Sequence, residues 1–227
     1  MSLIRAITFD LDDTLWPVAP VIDSADMAVH RWFRENAPAV ARRFHVDDLR
    51  RLRVDTGLAH PELAHDLSRL RRLSLQRACR EAGVDEALAE PAFQAFFSHR
   101  QRVTLFPGAR STLESLSSRY PLAALSNGNA DISRTGLDGV FRFSLSAIEV
   151  GAAKPDPRMF EEAARRLELR PAEIMHVGDD PLRDVAGALE AGCRAVLLDR
   201  SGRYARFVEA PVIRSIEELL DQQALME

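Results

Sequence analysis

The sequence predicts an α/β fold: a parallel sheet flanked by helices and interrupted once by a long helical segment. Two observations carry that prediction. Apolar runs at 4–11, 122–126, 174–178 and 195–198 each stop at a polar or glycine-containing turn, and helix-like stretches at 108–119, 157–167 and 182–191 lie among them. Strands alternating with helices of this length build right-handed crossover units on a parallel sheet. Residues 16–102 break the alternation, being dominated by Arg, Leu, Ala and Glu.

The first run, IRAITFDL, is rich in β-branched residues and too short for a helix; it reads as a strand that ends in Asp10, Asp12 and Asp13. In the segment after it, Leu63, Leu67, Leu70 and Leu73 recur at helical intervals, while Pro38, Gly57, Pro61, Gly83 and Pro91 divide it into several helices. The expected organisation is therefore a core of residues 1–15 and 103–227 with a helical domain, 16–102, inserted after the first strand. The runs LAALS, IMHVG and AVLL supply the later strands. Residues 215–220 (SIEELL) predict a closing helix with Ser215 as N-cap and Glu218 placed for a capping box.

Composition narrows the partners. The 227 residues are 46% apolar, ordinary for a globular chain with a sizeable core, and carry a net charge of −4. That charge gives no nucleic-acid footprint, so an anionic substrate needs local positive charge or a metal. Cys79 and Cys193 stand outside any metal-ligand spacing and read as small core residues, not a disulfide. No leader pattern and no apolar stretch near the ~18 residues of a membrane helix occurs, so a soluble, cytoplasmic protein is expected, without membrane association. A monomer or a homodimer is expected.

In a parallel sheet of this kind a ligand sits outside the carboxyl ends of the strands, and the polar residues fall there. Asp10 and Asp12 lie two apart, on one side of an extended chain, with Thr14 following. Two neighbouring carboxylates repel, and a divalent cation such as Mg2+ with hard oxygen ligands resolves the conflict. One carboxylate can act as nucleophile and the other as general acid and base. The competing reading is a pair of surface acids at a strand-to-loop junction.

Ser126 and Asn127 precede Gly128 after the LAALS strand, where a hydroxyl and backbone N–H groups can hold phosphate oxygens; a plain turn is the alternative. Lys154, the single lysine of the chain, can neutralise nucleophile and phosphoryl group together, or be a solvated surface residue. Asp179, after the IMHVG strand, is placed to bind a metal. Asp180 and Asp184 are either supporting groups or first-turn acids favouring a helix dipole.

Together FDLDDTLW, SNG, KPDPRMF and HVGDDPLRD resemble the haloacid-dehalogenase-like hydrolase superfamily over nearly the whole chain. The resemblance implies a Rossmann-like core and, in 16–102, a helical cap. It implies Asp10 as nucleophile and Asp12 as general acid/base. Ser126, Asn127 and Lys154 would position the phosphoryl group, Thr14 would help position that group or the metal shell, and Asp10, Asp12 (through its carbonyl) and Asp179 would ligate Mg2+. Asp180 and Asp184 would support them.

A phosphatase acting on a small phosphorylated metabolite is the leading expectation. Dehalogenases of this superfamily usually lack the second aspartate, since a halide needs no leaving-group acid. Phosphonate hydrolysis needs a cap lysine for a Schiff base, and 16–102 contains none. A sugar-phosphate mutase and a non-enzymatic binding module are the remaining alternatives. At subgroup level, TFDLDDTLW, SNGNAD and HVGDDPLRDV resemble phosphatases of the riboflavin pathway that act on its pyrimidine phosphate and on flavin mononucleotide. Trp16 is a candidate to stack on a flat ring, or else packs between cap and core. Arg31, His60, His65 and Arg69 are helical-domain candidates for substrate contact, or solvated residues.

Overall fold

In a computed structural model describing residues 3–204 and 209–221, the chain divides into two compact units, one of residues 1–17 and 104–227, the other of 18–103. The first strand, β1 (Ala6–Phe9), leads into the second unit. That unit consists of α1 (Val18–Asn36), α2 (Pro38–Arg43), α3 (Val46–Ala59), α4 (Leu67–Glu81) and α5 (Ala89–Arg100), joined by short turns. Its apolar core gathers Val29, Phe33, Leu75, Phe93 and Phe96. Asp26 is buried beside that core, accepting from Arg71 Nη1 at 2.8 Å and Arg50 Nε at 2.9 Å. The Arg71 guanidinium also lies 3.4 Å above the Phe96 ring. A buried acid of this kind is tolerable only when paired and hydrogen-bonded.

The first unit resumes with α6 (Ala109–Ser117), β2 (Leu122–Ser126), β3 (Phe143–Ser146), α7 (Ala147–Val150), α8 (Arg158–Leu167) and β4 (Ile174–Gly178). A six-residue π-helical stretch, Pro181–Ala186, then runs into α9 (Gly187–Glu190), followed by β5 (Arg194–Leu198), β6 (Val212–Ile213) and α10 (Glu218–Asp221). All strands pair in parallel in the order β3-β2-β1-β4-β5-β6. The α/β class with a parallel Rossmann-like core and an inserted helical unit is thus what forms. β1, β2 and β4 are buried along their whole length, as central strands covered on both faces must be. Among the described residues no helix is long and apolar enough to cross a membrane. Cys79 and Cys193 are both buried free thiols, one in each unit.

Three local expectations change. β3 and β6 form without a preceding apolar run, as short edge strands whose residues are partly exposed. The helix expected over 182–191 is divided, its first part widened into the π-helical stretch. The closing helix begins at Glu218, three residues later than expected, while Glu218 does reach back as the capping box requires: its carboxylate accepts the Ser215 N–H, and that of Arg214, both at 2.9 Å.

Candidate active site

The chain visits β1, β2 and β3 on one side of the sheet and β4, β5 and β6 on the other, so the order reverses between β1 and β4. Crevices open at such reversals, beyond the carboxyl ends of the strands. Asp10 follows β1 and Asp179 follows β4, which pair along Ala6–Phe9 and Ile174–Val177. The sheet thereby sets two carboxylates side by side that lie far apart in sequence.

A third carboxylate joins them. One oxygen from each of Asp10, Asp179 and Asp184 lies within 4.8 Å of the others. Lys154 Nζ bridges two of the three, donating to Asp10 Oδ1 and Asp184 Oδ1 at 2.6 Å each. Lys154 is 3% exposed and Asp184 2%, so this is a buried ion-pair network and not a surface contact. Asp184 Oδ2 accepts the Asp180 N–H at 3.0 Å, and Oδ1 also lies 3.1 Å from His176 Nε2. Asp184 thus anchors the lysine, while Asp10 and Asp179 remain the carboxylates presented from the strand ends.

Two glycines make this geometry possible. A Cβ on Gly178 would come 2.5 Å from Asp184 Cβ, and one on Gly187 would come 2.9 Å from the Pro155 Cα. Absence of a side chain at 178 admits the Asp184 carboxylate, and at 187 it admits the loop that carries Lys154. The widened π turn is a recurrent device at functional sites, here bringing Asp184 back under the strand end. Asp180 caps that turn, its Oδ1 accepting from Leu182 and Arg183 N–H at 2.9 Å each.

The remaining sequence candidates surround this centre. Thr14 Oγ1 donates to Asp179 Oδ1 at 3.1 Å. Ser126 Oγ, at the end of β2, accepts the Gly128 N–H at 2.9 Å. Asn127 grips the lysine loop in both directions: its Nδ2 donates to the Lys154 carbonyl at 2.9 Å and its Oδ1 accepts the Lys154 N–H at 2.7 Å. Its amide therefore positions Lys154. The Asp12 carboxylate stands outside the three-acid cluster and accepts the indole N–H of Trp16 at 2.8 Å. Trp16 is fully buried, which leaves its ring no exposed face for stacking on a flat substrate, and its indole N–H is committed to Asp12.

Burial and charge decide the protonation of the cluster. Burial pushes the Asp10 carboxyl well up from its ordinary value, with Lys154 acting against that rise and Asp184 adding to it. Burial raises Asp179 to about 6, helped by Asp184 and opposed by the Thr14 hydrogen bond. Asp184 is held low despite its burial, by the Lys154 charge and the His176 contact. Three clustered carboxylates and one ammonium, bonded to two of them, leave two negative charges uncompensated when all are ionised. A hard divalent cation fits this all-oxygen donor set, and Mg2+ is such an ion.

Two residues escaped sequence reasoning. His176 is 1% exposed, with Nδ1 at 2.9 Å from Thr8 Oγ1; a ring nitrogen pair inside the apolar run IMHVG was the available signal. Arg200 donates to the carbonyls of Asp13 and Thr14 at 2.8 and 2.7 Å and lies 3.8 Å from the Phe106 ring centroid. It thereby clamps a loop in which Asp13 takes a left-handed conformation, φ 60°, that costs a side-chain-bearing residue energy. Nothing in the local sequence announces that clamp.

Comparison with known proteins agrees with this geometry. Residues 4–192 match the model of the haloacid dehalogenase-like hydrolase family. The chain is 38% identical over 199 residues to 5-amino-6-(5-phospho-D-ribitylamino)uracil phosphatase YigB of Escherichia coli, covering 86% of this chain and 83% of that protein. It is 42% identical over 134 residues to phosphoserine phosphatase of Thermus thermophilus, covering 56% of this chain and 54% of that one. Among solved structures, 2-haloacid dehalogenase from Pseudomonas syringae pv. Tomato superposes with a TM-score of 0.90 at 38% identity, covering 96% of this chain and 97% of that chain. A parallel core carrying Asp10 and Asp179 at its strand ends with Lys154 bonded to Asp10, a helical insert after the first strand, and a family match over most of the sequence lead to one conclusion: the chain belongs to the haloacid dehalogenase-like hydrolases.

Proposed function

We propose that the protein is a Mg2+-dependent phosphomonoesterase that passes the phosphoryl group through Asp10, with 5-amino-6-(5-phospho-D-ribitylamino)uracil and flavin mononucleotide as its first candidate substrates. The observation that carries this reading is the cluster of Asp10, Asp179 and Asp184, each offering an oxygen within 4.8 Å of the others, with Lys154 bonded to Asp10 and Asp184; fully ionised, it holds two negative charges in excess. Asp10 and Asp179, with the Asp12 carbonyl, would hold Mg2+. When bound, the ion neutralises the nucleophile and the phosphoryl oxygens.

A carboxylate oxygen of Asp10 attacks phosphorus as the ester P–O bond breaks, and the departing oxygen takes a proton from Asp12. The resulting acyl phosphate is hydrolysed by a water whose proton returns to Asp12, releasing inorganic phosphate and restoring Asp10. Lys154 offsets charge on the Asp10 side throughout, held there by Asp184 and Asn127. The Trp16 indole keeps the Asp12 carboxylate oriented. The substrate choice is supported by the likeness to the Escherichia coli phosphatase.

The likeness to a 2-haloacid dehalogenase favours a second reading, carbon–halogen cleavage by the same Asp10. Halide is a weak base that leaves without a proton, so that reaction gives Asp12 and a divalent cation no task. One panel decides: phosphate release from the pyrimidine phosphate, flavin mononucleotide, sugar phosphates and phosphoglycolate at fixed Mg2+, beside halide release from 2-chloropropionate. Mg2+-dependent phosphate release, abolished by Asp10→Asn and reduced about 10²–10⁴-fold by Asp12→Ala, is expected. Halide release without metal would overturn the phosphatase reading, and equal rates on all phosphates would overturn the substrate choice.

A further inference from the structure

We propose that His176 is a positioning residue of this site: its Nε2–H holds the Asp184 carboxylate that aims the Lys154 ammonium at Asp10. The functional consequence rests on the phosphatase reading; the geometry does not.

His176 stands in the middle of an apolar strand, directly opposite Thr8 in the β1–β4 register. A buried imidazole is costly there unless both nitrogens find partners. Both do. Nδ1 lies 2.9 Å from Thr8 Oγ1 and Nε2 lies 3.1 Å from Asp184 Oδ1, with the Phe160 ring packed edge-on at 5.1 Å.

The partners select the tautomer. An ionised Asp184 only accepts, so Nε2 must carry the hydrogen. Burial and the Lys154 charge both favour the uncharged ring, against the pull of Asp184. A neutral ring with hydrogen on Nε2 has a bare Nδ1, and the Thr8 hydroxyl donates to it. The result is a directed chain, Thr8 to His176 to Asp184, meeting Lys154 to Asp184 and Lys154 to Asp10.

Asp184 sits on a π-helical turn, not on a regular helix. Three donors from separate segments fix its carboxylate: Lys154, His176 and the Asp180 N–H. With the imidazole donor removed, Oδ1 keeps only the lysine, and carboxylate and ammonium can turn together away from Asp10.

Isosteric substitution separates this role from simple packing. The glutamine amide nitrogen falls near the Nε2 position and can donate to Asp184; that of asparagine falls near Nδ1 and cannot. Because Lys154 is the only lysine, 15N-lysine labelling of the full chain gives one side-chain ammonium signal to follow. The wild type and His176→Gln are expected to share a slowly exchanging Lys154 signal, which moves or broadens in His176→Asn. The turnover number should fall about 10–100-fold in His176→Asn with little change in KM, and recover in His176→Gln.

Identical ammonium signals and turnover in the two variants would reduce His176 to a space-filling ring and overturn the proposal. Should both variants fail to fold, the imidazole 15N shifts of the wild type decide it: a protonated Nε2 with a bare Nδ1 is required, and the opposite tautomer or a doubly protonated ring refutes it. The spectroscopic arms need no turnover, so failure of the phosphatase reading would appear separately, as an intact hydrogen-bond chain in a protein without phosphatase activity.

Discussion

Replacing Gly178 by alanine tests how closely the site is built into the strand. The new Cβ would lie 2.5 Å from the Asp184 Cβ, against an ordinary contact of 3.4–4 Å. Relief requires a displacement of about 1 Å or more, because packed interiors do not absorb such overlap. If Asp184 gives way, its 2.6 Å contact with Lys154 lengthens toward ~4 Å. With an effective dielectric constant of about 20, that change weakens the pair by roughly 2 kcal/mol. Weakening the hydrogen bonds from His176 and the Asp180 N–H adds about 1 kcal/mol each. A total loss of ~2–4 kcal/mol lowers Tm by roughly 5–15 °C in a chain of this size. Misplacing the lysine by about 1 Å lowers the turnover number ~10²-fold. Thermal unfolding and phosphate release on the same Gly178→Ala preparation supply both readouts. A Tm within about 2 °C of wild type together with turnover within about threefold would refute the argument that Gly178 exists to admit Asp184.

The acid cluster makes Mg2+ binding proton-linked: with Asp179 near 6 and Asp10 raised as well, each must lose its proton to bind, so affinity should fall as pH drops from about 8 to about 5. Calorimetry in buffers of different ionisation enthalpy should show proton release, and pH-independent affinity would contradict the assignment. Because the folded Asp179 value lies above its unfolded 3.8, ionising this group destabilises the metal-free fold as pH rises from about 4 through 6, and Mg2+ should cancel that trend in thermal unfolding. In the helical unit, Asp26→Ala strands the buried Arg71 and should cost about 3–5 kcal/mol, read as early loss of hydrogen-exchange protection in α4. Unchanged protection there would show that the Phe96 ring alone carries Arg71.

Much of the fold is written in local pattern. The run IMHVG becomes β4 residue for residue, and LAALS becomes β2, because a strand buried on both faces needs a continuous apolar stretch. β3 and β6 carry no such stretch: FSLS and VI lie at sheet edges, where burial makes no strong demand on composition. The family resemblance likewise follows from short motifs whose residue types are visible one by one, and Asp10, Asp12, Thr14, Ser126, Lys154 and Asp179 are all readable in them.

What each of those residues touches is not local information. Asp10 and Asp179 are 169 positions apart and meet only because β1 and β4 are neighbours in the sheet. The same adjacency pairs Thr8 with His176 and turns a lone polar residue in an apolar run into part of a hydrogen-bond chain. Asn127 reads as a phosphate-binding candidate, yet both ends of its amide go to the Lys154 main chain. Arg200 reads as nothing at all until its guanidinium is seen on two carbonyls of the loop that follows β1. Local pattern settles which residue types follow which apolar runs along the chain. Which of them share hydrogens and charge is settled by the packing of the strands and loops, because those energies depend on distances between segments that no local pattern encodes.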